Sequence, residues 1–79
     1  MVKMKRCTGF SARTTFYELE NGKHIEVLEE RSNGETNRAW YVDENGIALD
    51  APDFEVKAVY EPDKDVEDCY NLIGFEKVV

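Results

Sequence analysis

The chain has 79 residues, of which 17 are Asp or Glu and 10 are Lys or Arg, so its formal net charge is −7. This length provides one hydrophobic core, and we expect a single domain over residues 1–79. The apolar fraction of 42 % is typical of a folded protein, and no run approaches the roughly 18 apolar residues that a membrane span needs. The basic start of the chain is followed by no apolar segment, so we predict no secretory signal and expect a soluble cytoplasmic protein.

Apolar and polar residues alternate with period two over residues 1–60, which predicts antiparallel strands joined by tight turns. The first predicted strand is Val2 to Cys7. Strands are predicted at residues 13–20 and 23–30, on either side of Asn21-Gly22, a pair that favours a hairpin turn.

Two registers are open for this hairpin. A two-residue loop would pair Glu20 with Lys23, as a cross-strand ion pair. A three-residue loop with a bulge at Gly22 would instead pair Tyr17 with Ile25, which places apolar residues together on one face.

A polar loop at residues 31–37 is predicted to lead into a second hairpin. This hairpin would join residues 38–43 to residues 47–50 through Asn45-Gly46. A further strand is predicted from Phe54, ending at Pro62.

After Pro62 the apolar residues no longer alternate with period two. Four apolar residues follow helical spacing and predict one stripe of a short helix: Val66, Cys69, Tyr70 and Ile73. Asp63 is placed to cap its start, Gly74 to end it in a left-handed conformation, and residues 75–79 to form a last short strand. The predicted fold is therefore α+β: a small antiparallel sheet or partly open barrel of five to seven short strands with one C-terminal helix.

Few residues are suited to covalent or metal chemistry. His24 is the only histidine, and we expect it to face Glu18 or Leu19 across a strand pair. Cys7 and Cys69 form no Cys-x-x-Cys motif; two buried thiols are favoured over a disulfide between them. We predict no catalytic residue, no cofactor and no zinc site.

The run from Asp63 to Asp68 has the acidic density of a calcium loop, but it puts Asp68 where such a loop needs glycine. We interpret the run as the first turns of the predicted helix. No metal-binding residue is predicted.

The charge distribution argues against direct binding to nucleic acid. Residues 1–13 carry four basic residues and no acid, whereas residues 14–79 carry six bases against seventeen acids. A phosphate backbone would be repelled by the larger part. We interpret the basic segment as an edge strand whose charges oppose aggregation.

The remaining candidate function is binding to another protein. Its predicted contact residues combine types common at interface hot spots with the acidic residues around them: Trp40, Tyr41, Arg38, Glu26, Glu29, Glu30 and Glu35. Trp40 and Tyr41 are adjacent on a strand, so they point to opposite faces.

We expect a non-enzymatic acidic protein that occupies a basic surface of a larger protein, as a monomer or weak homodimer. Small acidic inhibitors of nucleic-acid-handling machinery, such as phage-type anti-restriction or anti-CRISPR proteins, have this general character, but no motif here identifies a family. The alternatives are a module that self-associates through an edge strand at residues 2–7 or 75–79, and a small carboxylate- or metal-dependent enzyme.

Overall fold

The structure, a computed structural model, describes residues 1–28 and 36–78. Its elements are six strands: β1 (Val2–Phe10), β2 (Thr14–Leu19), β3 (His24–Leu28), β4 (Asn37–Val42), β5 (Phe54–Pro62) and β6 (Tyr70–Val78). Each strand pairs antiparallel with the next, and β1 also pairs with β6, which closes a six-stranded barrel. The described residues contain no helix, so the fold is all-β and the predicted α+β class is wrong.

The β2–β3 hairpin adopts the three-residue loop with Tyr17 opposite Ile25. The Leu19 N–H donates to the carbonyl of Lys23 at 2.8 Å, and Gly22 has a φ of +86°. Glycine reaches this left-handed conformation without the steric cost that a Cβ imposes. His24 lies opposite Glu18, which confirms its expected place across the strand pair.

The inward residues of β2, β3, β4, β5 and β6 fill the barrel. They are Tyr17, Leu19, Ile25, Val27, Ala39, Val56 and Phe75. The rings of Tyr17 and Phe75 meet edge to face, with centroids 5.1 Å apart, and so join β2 to β6 across the interior. A small barrel is filled by such side chains, leaving the outer face of the sheet for recognition.

The closing seam between β1 and β6 has two residue pairs, Val2 with Phe75 and Lys3 with Gly74. Gly74 is buried, and its φ lies outside the left-handed region. A Cβ at this position would clash with the carbonyl oxygen of Val2 and lie 2.9 Å from the Cα of Lys3. Gly74 therefore allows β1 to approach β6; it does not end a helix.

The structure has the second strand of a hairpin where the sequence predicts a helix. Residues 63–69 form its loop, and β6 pairs with β5 over eight residue pairs that run from Glu55–Val78 to Pro62–Tyr70. Tyr70 is 66 % exposed and Val66 51 % exposed, so these residues form no buried stripe. The helical spacing is outweighed because β6 satisfies its backbone hydrogen bonds along β5 and packs Phe75 in the core.

Asp63 accepts the hydrogen bonds expected of a helix N-cap, but only a single turn follows it. Its Oδ1 accepts hydrogen bonds from the N–H groups of Asp65 at 2.8 Å and Val66 at 3.1 Å. Its Oδ2 accepts from the side-chain amide of Asn71 at 3.0 Å, and its own N–H donates to the carbonyl of Cys69. The chain then reverses through Asp68, whose φ is +61°.

The β5–β6 hairpin extends beyond the barrel. Of β5, residues 54–56 pair with β4, and of β6, residues 74 and 75 pair with β1. Residues 57–62 pair with no described strand other than β6. The molecule measures 41 × 26 × 24 Å, and its excess length of about 15 Å equals about five residue steps along a strand.

Both cysteines are exposed free thiols, so the prediction of buried thiols is wrong. Cys7 lies on β1 and Cys69 at the end of the hairpin loop that precedes β6. Neither contributes to the core among the described residues.

Candidate functional site

Trp40 and Glu26 lie opposite each other on the outer face of β4 and β3. The indole Nε1–H donates a hydrogen bond to Glu26 Oε1 at 3.0 Å. Both residues are half-buried. The bond fixes the orientation of the indole, so its exposed part is presented in one geometry.

Arg38 lies on the same face, two residues before Trp40 on β4. Its Nη1 is 3.8 Å from Asp53 Oδ2, and both side chains are more than half exposed. A surface ion pair of this length contributes little to stability. The guanidinium thus stays accessible beside the indole.

Tyr41 points to the opposite face and belongs with the interior. Its ring packs on Phe54 with centroids 4.9 Å apart, and Lys23 Nζ lies 5.1 Å from its centroid. The structure therefore brings Glu26, Arg38 and Trp40 to one face and separates Tyr41 from them. Glu29, Glu30 and Glu35 lie outside the described residues.

Residues 43–51, which we name the arm, fold back beside the end of β4. Asp43 Oδ1 accepts hydrogen bonds from the N–H groups of Asn45 at 2.8 Å and Ile47 at 3.0 Å, and Gly46 has a φ of +82°. The predicted second hairpin is thus present, but its return strand is reduced to one bridge between Val42 and Ala48.

The arm places apolar side chains beside Trp40. The N–H of Leu49 donates to the carbonyl of Tyr41 at 3.0 Å, and the side chain of Leu49 remains 50 % exposed. Sequence reasoning missed Leu49 because it was assigned to an ordinary strand. The segment at residues 50–53, which contains Pro52, is expected from the sequence to break the sheet, but this does not indicate where the side chain of Leu49 lies.

A shallow cavity of about 260 Å³ lies between Trp40 and the arm, with Leu49 and Asp53 in its lining. A larger cavity of about 480 Å³ lies on the other side of Leu49, against Tyr41, Lys23 and His24. Leu49 is therefore a ridge between two concave surfaces. We name the surface formed by Glu26, Arg38, Trp40, Leu49 and Asp53 the Trp40 face.

A second charged group lies on the outer face of β1 and β2. Glu18 Oε1 accepts a hydrogen bond from Arg6 Nε at 2.7 Å, and its Oε2 is 3.8 Å from Lys5 Nζ. The hydrogen bond from Arg6, together with the positive charges of Lys5, Arg6 and His24, lowers the pKa of the Glu18 carboxyl. This network stabilises the carboxylate form of Glu18.

Within the described residues, no three His, Cys, Asp or Glu side chains are grouped closely enough to hold a metal ion. In the same part of the chain, no helix has the length and apolar character to cross a membrane.

The chain matches no protein-family model, and searches of the curated proteins and of the solved structures give no significant match.

Proposed function

We propose that this chain is a non-enzymatic acidic binding protein that occupies a basic surface of a larger protein with its Trp40 face. The observation that carries the proposal is the pairing of an oriented, half-buried Trp40 with the exposed ridge of Leu49 across a shallow cavity. A tryptophan held in one orientation loses little conformational entropy on binding.

The composition of the face supports a protein partner. Trp and Arg are the residue types most enriched at interface hot spots, and Arg38 lies beside Trp40 here. Burying the remaining exposed half of Leu49 would contribute roughly 1 kcal/mol. The cavity beside Trp40 can accept an apolar side chain of the partner.

The charge of the molecule supports a basic partner. The net charge of −7 on 79 residues favours encounter with positively charged surfaces and raises association rates at low salt. Carboxylates border the cavity and the arm, at Asp50 and Asp53. Proteins that handle nucleic acids carry such basic surfaces, and an inhibitor of that machinery, of the anti-restriction or anti-CRISPR class, is the specific form that we propose.

Affinity capture tests the proposal. The chain is immobilised and exposed to a lysate of its source organism, and captured proteins are quantified by mass spectrometry. Four baits are compared: wild type, Trp40→Ala, Leu49→Lys, and Tyr70→Lys as the matched control. Leu49 and Tyr70 are both exposed, so neither substitution disturbs the core, but Tyr70 lies on the distant hairpin.

We expect a basic protein to be captured by wild type and by Tyr70→Lys and lost with Leu49→Lys. For the purified partner, Trp40→Ala should weaken binding by at least about 30-fold, the equivalent of a hot spot of about 2 kcal/mol. Raising NaCl from about 50 to about 500 mM should slow association. Equal capture by Leu49→Lys and Tyr70→Lys, or a partner whose binding ignores salt, would contradict the proposal.

A further inference from the structure

The cavity of about 480 Å³ beyond Leu49 has the size of a small-ligand site, for which roughly 300 to 1,000 Å³ is typical. Its lining combines the Tyr41 ring with the charged residues Lys23, Asp43 and Glu44. Two carboxylates and one ammonium group therefore line the same concave surface. This balance favours a positively charged ligand.

Both carboxylates of the cavity have an oxygen that can accept hydrogen bonds from a ligand. Asp43 Oδ1 accepts from the N–H groups of Asn45 and Ile47, which fixes the carboxylate. Asp43 Oδ2 accepts no hydrogen bond from a described residue, and Glu44 is exposed and forms no ion pair with one. A carboxylate that is already held in place loses little conformational entropy when it binds a cation.

Lys23 shows where a cation is stabilised in this cavity. Its Nζ lies 5.1 Å from the centroid of the Tyr41 ring, within the roughly 6 Å of a cation–π contact. Lys23 is exposed and forms no ion pair with a described residue. A cation–π contact at an exposed position is weak, so a second cation can displace Lys23 from the ring.

We propose that this cavity is the subsite for an arginine side chain of the basic partner. The guanidinium replaces the ammonium group of Lys23 on the Tyr41 ring, and the carboxylates of Asp43 and Glu44 neutralise its charge. Arginine fits this subsite better than lysine, because a planar guanidinium stacks on an aromatic ring and donates two parallel hydrogen bonds to a carboxylate. The inference rests on the proposed function and names the residue type by which the partner is recognised.

Leu49 relates this subsite to the Trp40 face. It separates the larger cavity from the one of about 260 Å³ beside Trp40, and it lines both together with Ala51. A partner segment that crosses Leu49 therefore places one side chain on each side of it. We expect an apolar side chain beside Trp40 and an arginine side chain beside Tyr41.

Small arginine analogues test the subsite on the isolated chain. The probe is Nα-acetyl-arginine methylamide, and the chemical control is the citrulline analogue, which has nearly the same shape without the charge. Binding is followed by the NMR signals of the backbone amides.

We expect the arginine probe to shift the amide signals of Lys23, Asp43 and Glu44 and to saturate with a Kd of about 10 mM or below. The citrulline probe should bind at least about threefold more weakly, because it lacks the charge that the carboxylates attract. Shifts that do not saturate up to about 50 mM, or equal binding of the citrulline probe, would overturn the proposal.

Three substitutions of exposed residues separate the subsite from a general attraction of charge. Glu44→Gln removes one carboxylate of the cavity and should weaken binding of the arginine probe at least about threefold. Glu76→Gln is the matched control, because Glu76 lies on β6, does not line the cavity and loses the same charge; this variant should bind the probe like wild type.

Lys23→Ala removes the ammonium group from the Tyr41 ring and should tighten binding of the probe about two- to fivefold. Equal weakening by Glu44→Gln and Glu76→Gln, or no tightening by Lys23→Ala, would overturn the proposal.

The subsite and the proposed function fail in different experiments. Capture of a basic protein that is lost with Leu49→Lys, without saturable binding of the arginine probe, would overturn the subsite alone. Saturable binding of the probe by a chain that captures no partner would contradict the proposed function and support the guanidinium site.

Discussion

Replacing Gly74 by Ala should open the seam that closes the barrel. The added methyl group would clash with the carbonyl oxygen of Val2 and lie 2.9 Å from the Cα of Lys3, a distance that real Cβ atoms essentially never show. Both obstacles are backbone atoms of β1, so no side-chain rotation relieves the clash. The strand has to move away from β6.

The size of the stability loss follows from the contacts that are disrupted when β1 moves away from β6. Overpacking in a well-packed site costs typically 1 to 3 kcal/mol, and a clash with backbone lies at the upper end. The seam has only two residue pairs, so a shift of β1 affects all of its hydrogen bonds to β6. We expect Gly74→Ala to lower the free energy of unfolding by about 3 kcal/mol, a large part of the total for a domain of this size.

Urea denaturation followed by tryptophan fluorescence measures this loss. With an m-value near 1 kcal/mol per molar urea, the midpoint should fall by about 3 M, and the melting temperature by roughly 12 to 24 °C. Gly9→Ala is the matched control, because Gly9 is also in a strand and a Cβ there meets nothing within 4 Å. That variant should stay within about 1 kcal/mol of wild type. If Gly74→Ala is equally harmless, the close approach of β1 and β6 does not exist.

Three further changes should have the following effects. The hydrogen bonds from the Asp65 N–H, the Asn71 amide and the Val66 N–H lower the pKa of the Asp63 carboxyl below its ordinary value of 3.8. The hairpin loop should therefore be fully ordered above pH 3.8 and lose its order as the pH falls through the lowered pKa. An NMR titration in which the Asp63 carboxyl shows the ordinary pKa would contradict this. Asp68 has a φ of +61°, so Asp68→Gly should stabilise the fold by about 0.5 to 1 kcal/mol and Asp68→Val should destabilise it by about 1 kcal/mol or more, as measured by urea denaturation. Glu26→Ala removes the acceptor of the indole and should shift Trp40 emission to longer wavelength, with a stability loss of about 1 kcal/mol, whereas Glu26→Gln retains an acceptor and should leave the emission near that of wild type.

Local signals in the sequence predict the strands well where one face is buried. Alternation locates β2, β3, β4 and β5, and Asn21-Gly22 and Asn45-Gly46 mark two of the turns because both glycines need a positive φ. The register of the first hairpin was open because an ion pair and an apolar cluster favour different pairings. Burial of Tyr17 and Ile25 decides it, since core packing contributes more than an exposed ion pair.

The tail shows why local periodicity can fail. The spacing of Val66, Cys69, Tyr70 and Ile73 is helical, and Asp63 caps the first turn as predicted. Whether the chain continues as a helix depends on β5, which pairs with residues 70–78 at every position except Ile73, where the register shifts. That choice is made by a tertiary contact, and no short window of sequence contains it.

The candidate site was partly predictable for the same reason. Residue types and strand alternation place Arg38 and Trp40 on one face and exclude Tyr41 from it. The hydrogen bond to Glu26 depends on the β3–β4 register, and the position of Leu49 depends on how the arm folds back. Both require the three-dimensional structure.

Closing the barrel between its first and last strands also affects how the chain folds. Val2 meets Phe75, so the final contact joins nearly the whole length of the polypeptide. Contacts between residues so far apart in sequence carry a high loop-closure entropy and slow folding, into the millisecond-to-second range for barrels of this kind. The pairing of Val2 with Phe75 also makes the chain suitable for circular permutation. Linking its two ends and cutting it at Asn45-Gly46 would turn the two-pair seam into a local hairpin. We expect this variant to refold faster than the original chain.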